Sequence, residues 1–382
     1  MKNVLRGSDT LARQGGDEFL VLVDGGDPME VVAGRLREAV ESPVLVGGRE
    51  VKLSASIGIA QYPHDGDSVD ALIENADMAA YVAKNQGRNR WEMYSAELRE
   101  RTKHRAEVRS RLGKAIQEGR LSLVFQPIVE MESEQVTAFE ALVRWNDELL
   151  GPISPAEFIP VAEESGLVVP LGKWVMTEAC RVAREWQREG NPVVALSVNV
   201  SPREFRRELA DTVRAALNAS GLDPHLLEIE VTETTMMTDI EQARSILNAV
   251  RGQGVTVAMD DFGVGYSSLG CLLSLPFDRI KMDRSLVSEL SDRNHRKIVE
   301  SVVELIHSIG SEVVAEGIET AEQLQTLRGL GVRYGQGFHL YRPMPAKAAA
   351  ELLSTPRTPS VRYRRLEAGP PSYSSTRLLR AT

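Results

Sequence analysis

Cysteine is scarce: Cys180 and Cys271 are the only two in 382 residues. So few thiols exclude a disulfide-built secreted scaffold and point to a reducing compartment, the cytoplasm. Long apolar runs are missing as well. No stretch reaches the ~18 residues needed to span a bilayer, and the opening MKNVLRGSDT lacks the apolar core of a signal peptide. Nor is there an excess of positive charge. The chain carries a net charge of −9, and an acidic body is a poor binder of duplex nucleic acid. What remains is an ordinary globular mixture, 42% hydrophobic and 26% charged, which excludes collagen and wholesale disorder. At about 150 residues per domain, the length suggests two domains and a remainder.

Part of that remainder is the tail. Residues 355–382 hold six Arg and one Glu, so they carry +5 and leave −14 on the rest. Pro, Ser and Arg without apolar periodicity predict a disordered basic tail. At the other end, residues 1–94 read as mixed α/β: FLVLV (19–23) and VKLSASIGIA (51–60) have strand character, VVAGRLREAV (31–40) and ALIENADMAAYVAKNQG (71–87) helical spacing. The charge-dense segment 95–120 suits a solvated connecting helix, and the domain boundary is expected there.

Eight short apolar segments follow within 121–354: LVFQPIV (123–129), VTAFEALVRW (136–145), VALSVNV (194–200), LLEIEVTE (226–233), TVAMDDF (256–262), DRIKMD (278–283), EVVAEGIE (312–319) and YGQGFHL (334–340). Helical stretches separate most of them. Ser154-Pro155-x-Glu157 and Ser201-Pro202-x-Glu204 each look like a helix start, with N-cap Ser, Pro at N1 and Glu at N3. Such alternation over ~250 residues is the pattern of an α/β (β/α)8 barrel, with a doubly wound open sheet as the alternative.

Polar residues stand at or near the ends of these segments: Glu140, Asn199, Glu230 with Glu233, Asp260 with Asp261, Lys281, Glu316 and Gln336. In a parallel barrel those ends converge on one rim, where catalytic groups collect. A ring of carboxylates repels itself unless cations occupy it. Oxygen donors without Cys or His suit hard ions, so Mg²⁺ or Mn²⁺ is the expected occupant. The adjacent acids Asp260 and Asp261 can serve two ions, or one of them can bridge both.

These residues also carry a resemblance. EALVRW (140–145) resembles the signature of the EAL family of cyclic di-GMP phosphodiesterases. QPIV (126–129), SVNVSP (197–202), EVTE (230–233), DDFGVGYSSL (260–269), KMDRS (281–285), AEGIE (315–319) and QGFHLYRPMP (336–345) resemble its companion motifs in order. Two departures stand out: Val264 in place of the usual Thr, and Gly270-Cys271 after Ser-Ser-Leu. The resemblance implies that Glu140, Asn199, Glu230 and Asp260 hold one metal, and that Asp260 is shared with a second held by Asp261 and Glu316. It further implies that Lys281 sits near the attacking water, Gln336 helps hold the water and metal network, and Glu233 braces the DDFG loop. Gln126, Leu142 and Arg144 are implied to contact substrate. The implied reaction opens one phosphodiester of cyclic di-GMP to linear pGpG, in a homodimer. An inactive cyclic di-GMP receptor and a hydrolase for another phosphodiester are the competing readings.

Farther upstream, Gly15-Gly16-Asp17-Glu18-Phe19 resembles the GGDEF signature of diguanylate cyclases, and residues 81–94 resemble the end of that domain. A Gly-Gly tip lets backbone approach phosphates, and Asp17 and Glu18 can supply metal oxygens. Arg6-x-x-Asp9 is similar to that family's inhibitory cyclic di-GMP site. The family's domain begins roughly half a domain earlier. The expectation is therefore a GGDEF remnant without cyclase activity, its exposed sheet edge inviting pairing or instability. Cys180 and Cys271 are expected to be structural, and the six His have no ligand spacing.

Overall fold

The computed structural model describes residues 2–237, 239–264 and 269–354, without the side chains of Leu269 and Cys271. The expected disordered tail (355–382), the role assigned to the Cys271 thiol and the part of the DDFG loop at 265–268 therefore lie outside the described residues. The chain divides into two compact units, Met1–Lys114 and Ala115–Thr382, and the division falls inside the helix Ala96–Glu118.

The second unit is a closed eight-stranded barrel. Its staves are β1 (Leu121–Glu130), β2 (Gln135–Asp147), β3 (Ala195–Val200), β4 (Leu227–Thr232), β5 (Thr256–Phe262), β6 (Arg279–Met282), β7 (Glu312–Ala315) and β8 (Tyr334–Gly335). The ring closes because β1 pairs with both β2 and β8. From β2 round to β8 every ring pair is parallel. Here the structure departs from an all-parallel (β/α)8 barrel: β1 runs antiparallel to both neighbours. The reason is the length of the connection. Only residues 131–134 link β1 to β2, and a parallel crossover needs about a dozen residues. The last two staves are also shorter than the apolar segments suggested, so Glu316 and Gln336 stand just past their ends.

Seven principal helices wrap the staves: α1 (Pro155–Ser165), α2 (Val168–Arg188), α3 (Leu209–Ser220), α4 (Ile240–Arg251), α5 (Arg293–Ser308), α6 (Ala321–Gly329) and α7 (Ala346–Leu353). In α2, Leu171, Val175, Ala179, Val182 and Trp186 are buried along one stripe. The Trp186 ring packs against Phe125 and Phe139 at 4.9 and 5.2 Å. Cys180 is buried in the same helix, and burial pushes its thiol up to about 12, which suits packing rather than reactivity. Asp292 caps α5 and a Thr320–Gln323 capping box opens α6.

Of the two expected Ser-Pro helix starts, one is as read: Ser154 precedes Pro155 at the head of α1. The other is corrected. Ser201-Pro202 makes a single turn, with Phe205 N–H donating to Ser201 C=O at 3.1 Å, and α3 begins only at Leu209. The local capping geometry is present, since Ser201 N–H donates to Glu204 Oε2 at 3.2 Å. The Ser201 hydroxyl donates to Glu163 Oε1 at 2.8 Å and accepts the Arg203 N–H at 3.3 Å, so it caps this single turn rather than α3.

The barrel interior is apolar low down, where Ile128, Ala138, Ala195, Val314 and Tyr334 cluster. Beside it Arg279 and Glu228 form a buried pair at 3.3 Å.

The first unit pairs its strands in twos. Thr10–Gly15 and Glu18–Leu22 form an antiparallel hairpin, Val44–Val46 and Arg49–Val51 another, and Ile57–Ile59 lies parallel to Trp91–Met93. Helices Met29–Glu41 and Val69–Asn85 accompany them. Among the described residues, no pairing joins these three ladders into one sheet.

Candidate active site at the barrel mouth

The ring is built by strand alternation. Residues two apart on a stave share a face, so Glu228 and Glu230 on β4, and Arg279 and Lys281 on β6, form two charged layers inside the barrel. Upper-layer groups from four elements meet at one atom. Lys281 Nζ lies 2.7 Å from Glu230 Oε2, 2.7 Å from Glu316 Oε1, 3.4 Å from Asp260 Oδ1 and 3.5 Å from Glu140 Oε2. Glu140 is further held by two amides. Asn199 Nδ2 donates to its Oε1 at 2.6 Å and Gln336 Nε2 to its Oε2 at 2.8 Å. Residues up to 196 positions apart thus share one largely buried cluster.

Burial is the largest influence on Glu140, Glu230 and Glu316 and pushes each pKa up. At Glu140 the Lys281 charge and the two amide donors outweigh it, and the group sits below the usual carboxylate range. At Glu230 burial wins over Lys281, helped by repulsion from Glu140, Asp260 and Glu316, and the group is raised well above that range. Glu316 is raised to about 8 by the same balance. Lys281, although burial opposes its charge, is raised by the four carboxylates around it. Each group's charge thus bears on the titration of its neighbours.

Asp261 is set apart by backbone geometry. The β5–β6 register slips between Met259 and Phe262, and Asp261 takes a left-handed φ of +57°. Its N–H donates to Asp260 Oδ1 at 2.9 Å, and the residue is exposed at the rim. Undistorted neighbours on a strand face opposite ways; this bulge breaks that alternation beside the site.

The remaining expected residues fall around the ring. Gln126 lies opposite Glu140 in the β1–β2 register, and its Nε2 donates to Tyr341 C=O at 3.3 Å. Leu142 and Arg144 follow Glu140 along β2. Burial holds the half-buried Arg144 guanidinium below its ordinary pKa, with Glu140 opposing. Glu233 is buried and opens the short helix Glu233–Met236, which packs on β5. In the first unit, Gly15–Glu18 make the hairpin tip, where Arg13 donates twice to Gly16 C=O at 3.0 and 2.7 Å. Asp17 and Glu18 are exposed. Arg6 donates its own N–H to Asp9 at 2.8 Å, while its guanidinium is taken by Asp27, which also binds Arg35.

Sequence reading missed the layer beneath. The Arg279–Glu228 pair gives no local signal beyond two charges in apolar strands. It also missed the brace beside β3, where the Glu204 carboxyl lies against Gly172 of α2 so closely that a Cβ there would fall 1.6 Å from Glu204 Oε1.

Among the described residues, no three acidic, imidazole or thiol side chains stand in ion-holding geometry; the carboxylates are spread around the Lys281 ammonium. The donor set nevertheless fits a hard divalent cation. It is all oxygen, and Glu230 Oε1 and Gln336 Oε1 are buried without a hydrogen-bond partner.

Comparison with known proteins agrees with this architecture. The family profile described as EAL domain matches residues 109–343, and that described as diguanylate cyclase, GGDEF domain, matches 1–90. The bifunctional diguanylate cyclase/cyclic di-GMP phosphodiesterase MucR of Pseudomonas aeruginosa is 40% identical over 347 residues, 90% of this chain and 51% of MucR. The cyclic di-GMP phosphodiesterase NbdA of the same organism is 36% identical over 378 residues, 98% of this chain and 47% of NbdA. The chain thus spans about half the length of the curated relatives it matches. A solved structure titled PaMucR phosphodiesterase, c-di-GMP complex, superposes with a TM-score of 0.61 at 40% identity, covering 64% of this chain and 99% of that one.

Proposed function

The chain belongs to the EAL domain family, with a GGDEF domain ahead of its barrel, and on that premise we propose that it is a cyclic di-GMP phosphodiesterase releasing linear pGpG. The observation that carries this reading is the convergence of Glu140, Glu230, Asp260 and Glu316 on one point at the barrel mouth, with Asn199 and Gln336 beside them. Glu140, Asn199, Glu230 and Asp260 would hold one Mg²⁺ or Mn²⁺ ion, and Asp261 and Glu316, with Asp260 shared, a second. When bound, such a pair activates water for in-line attack at phosphorus and stabilises the leaving oxygen.

The chain's own residues do the rest. Arg144 offers a planar fork to a phosphate oxygen, which a Lys would meet only as a point charge. Gln126, braced on the Tyr341 carbonyl, and Leu142 shape the wall against the substrate. Lys281 presents an ammonium to the reacting water. Glu233 supports the DDFG loop from its short helix. A homodimer working in the cytoplasm is part of the same reading. Among the described residues, no helix is long and apolar enough to cross a membrane.

The GGDEF domain is proposed to be inactive as a cyclase. Its three ladders are unjoined among the described residues, and the signature acids Asp17 and Glu18 face solvent. A receptor without turnover is the alternative; the complete set of ring donors favours the enzyme.

The test is direct. The full chain is incubated with cyclic di-GMP and Mg²⁺ or Mn²⁺, with and without chelator, and the products are chromatographed. The expected result is pGpG that disappears with chelator and in Glu140→Ala, while circular dichroism shows that variant folded. Undiminished turnover by Glu140→Ala would overturn the assignment.

A further inference from the structure

The ring's arrangement raises a question of occupancy that the reaction alone does not. Lys281 is 1% exposed, and its ammonium touches one oxygen from each of Glu140, Glu230, Asp260 and Glu316. The second oxygen of Glu140 accepts from the Asn199 amide, and the Gln336 amide shares the first with Lys281. Each of the four carboxylates thus has at least one oxygen engaged with an NH group. Among the remaining oxygens, Glu230 Oε1 and Gln336 Oε1 are buried and without a partner.

We propose that Lys281 is the site's own stand-in cation: it neutralises the carboxylate ring before a divalent ion arrives and competes with that ion for the same oxygens. The inference rests on the metal-dependent reading above and deepens it. Two physical arguments support it. Carboxylates packed this closely in an apolar barrel repel one another strongly at low effective dielectric, and Lys281 is the cation in contact with all four. An ion entering the ring must draw oxygens away from the ammonium and then sit within a few ångströms of it, a repulsion that weakens binding. The two amides take part in the exchange. Asn199 and Gln336 now present NH₂ to Glu140, and turning about their terminal bonds would present oxygen to an ion instead. Lys281 thereby holds the carboxylate ring together and keeps its affinity for divalent ions moderate.

The experiment is Mn²⁺ binding to the full chain by titration calorimetry, without substrate, at one pH and ionic strength. Lys281→Met keeps the buried length and removes the charge. It should bind Mn²⁺ about tenfold more tightly than the wild type, or better. Mn²⁺ should also raise its melting temperature further. Lys281→Arg keeps the charge and should bind no more tightly than the wild type. Equal or weaker Mn²⁺ affinity in Lys281→Met would overturn the proposal. Should that variant not fold without the ion, Lys281→Gln serves in the same titration, where tighter binding supports the proposal and equal or weaker binding overturns it. Wild-type hydrolysis of cyclic di-GMP, followed in parallel, separates the two readings: a wild type that binds Mn²⁺ but leaves cyclic di-GMP intact sinks the proposed function alone.

Discussion

Replacing Glu204 by Gln should stabilise the protein, and only above mildly acidic pH. The carboxyl lies against Gly172 of α2, accepts the Ser201 N–H at 3.2 Å, and faces Glu163, which holds the Ser201 hydroxyl. Burial first, then the Glu163 charge, push its pKa from 4.5 up to about 7, while the Ser201 N–H pulls the other way. The folded protein therefore holds a proton that the unfolded chain has released between those two values. Stability from this group is complete below pH 4.5, declines as pH rises, and is lost above about pH 7. At 1.36 kcal/mol per pH unit the full cost is ~3 kcal/mol, and residual contact with water reduces it to about 2 kcal/mol. The substituted amide would keep an oxygen for the Ser201 N–H and offer NH₂ to Glu163, without the charge. Thermal melts followed by circular dichroism should show Glu204→Gln melting about 4–8 °C higher at pH 8 and level with the wild type near pH 4.5. An equal shift at both pH values, or none at pH 8, would refute the burial argument.

Two further outcomes follow from the same structure. Arg144→Lys should raise the KM for cyclic di-GMP about tenfold and leave kcat nearly unchanged, because a fork becomes a point charge; steady-state kinetics showing a fall in kcat at constant KM would remove Arg144 from phosphate binding. Gly337→Ala should cost about 2–4 kcal/mol, since its new Cβ would fall 2.2 Å from the backbone N and O of Ile318; a melting temperature within about 1–2 °C of wild type would show that this backbone can yield.

Much of the fold was legible in the sequence because the evidence for it is local. Eight apolar segments give the eight staves, and their polar ends are the rim residues. The hairpin between β1 and β2 was legible too, in the short gap between residues 129 and 136, but strand and helix alternation is a pattern of averages and hides one missing helix. The Ser201-Pro202 turn was not legible. Its capping signal is sound over four residues and is met within the single turn, where Ser201 Oγ accepts the Arg203 N–H at 3.3 Å, but those four residues do not fix where α3 begins. Likewise the bulge at Asp261 was not read from the letters; it shows as a slip in the β5–β6 register and a left-handed φ of +57°.

By itself, then, the chain determined which residues could line a mouth of hard oxygen donors, since side-chain chemistry and strand period are written into it. Only the closed ring decided that four acids surround a single buried ammonium, with Asn199 and Gln336 turned toward Glu140 as donors. The reason is that charge regulation is a sum over distances. Groups far apart in sequence, harmless to one another in an open chain, must share protons and counterions once a barrel brings them within a few ångströms.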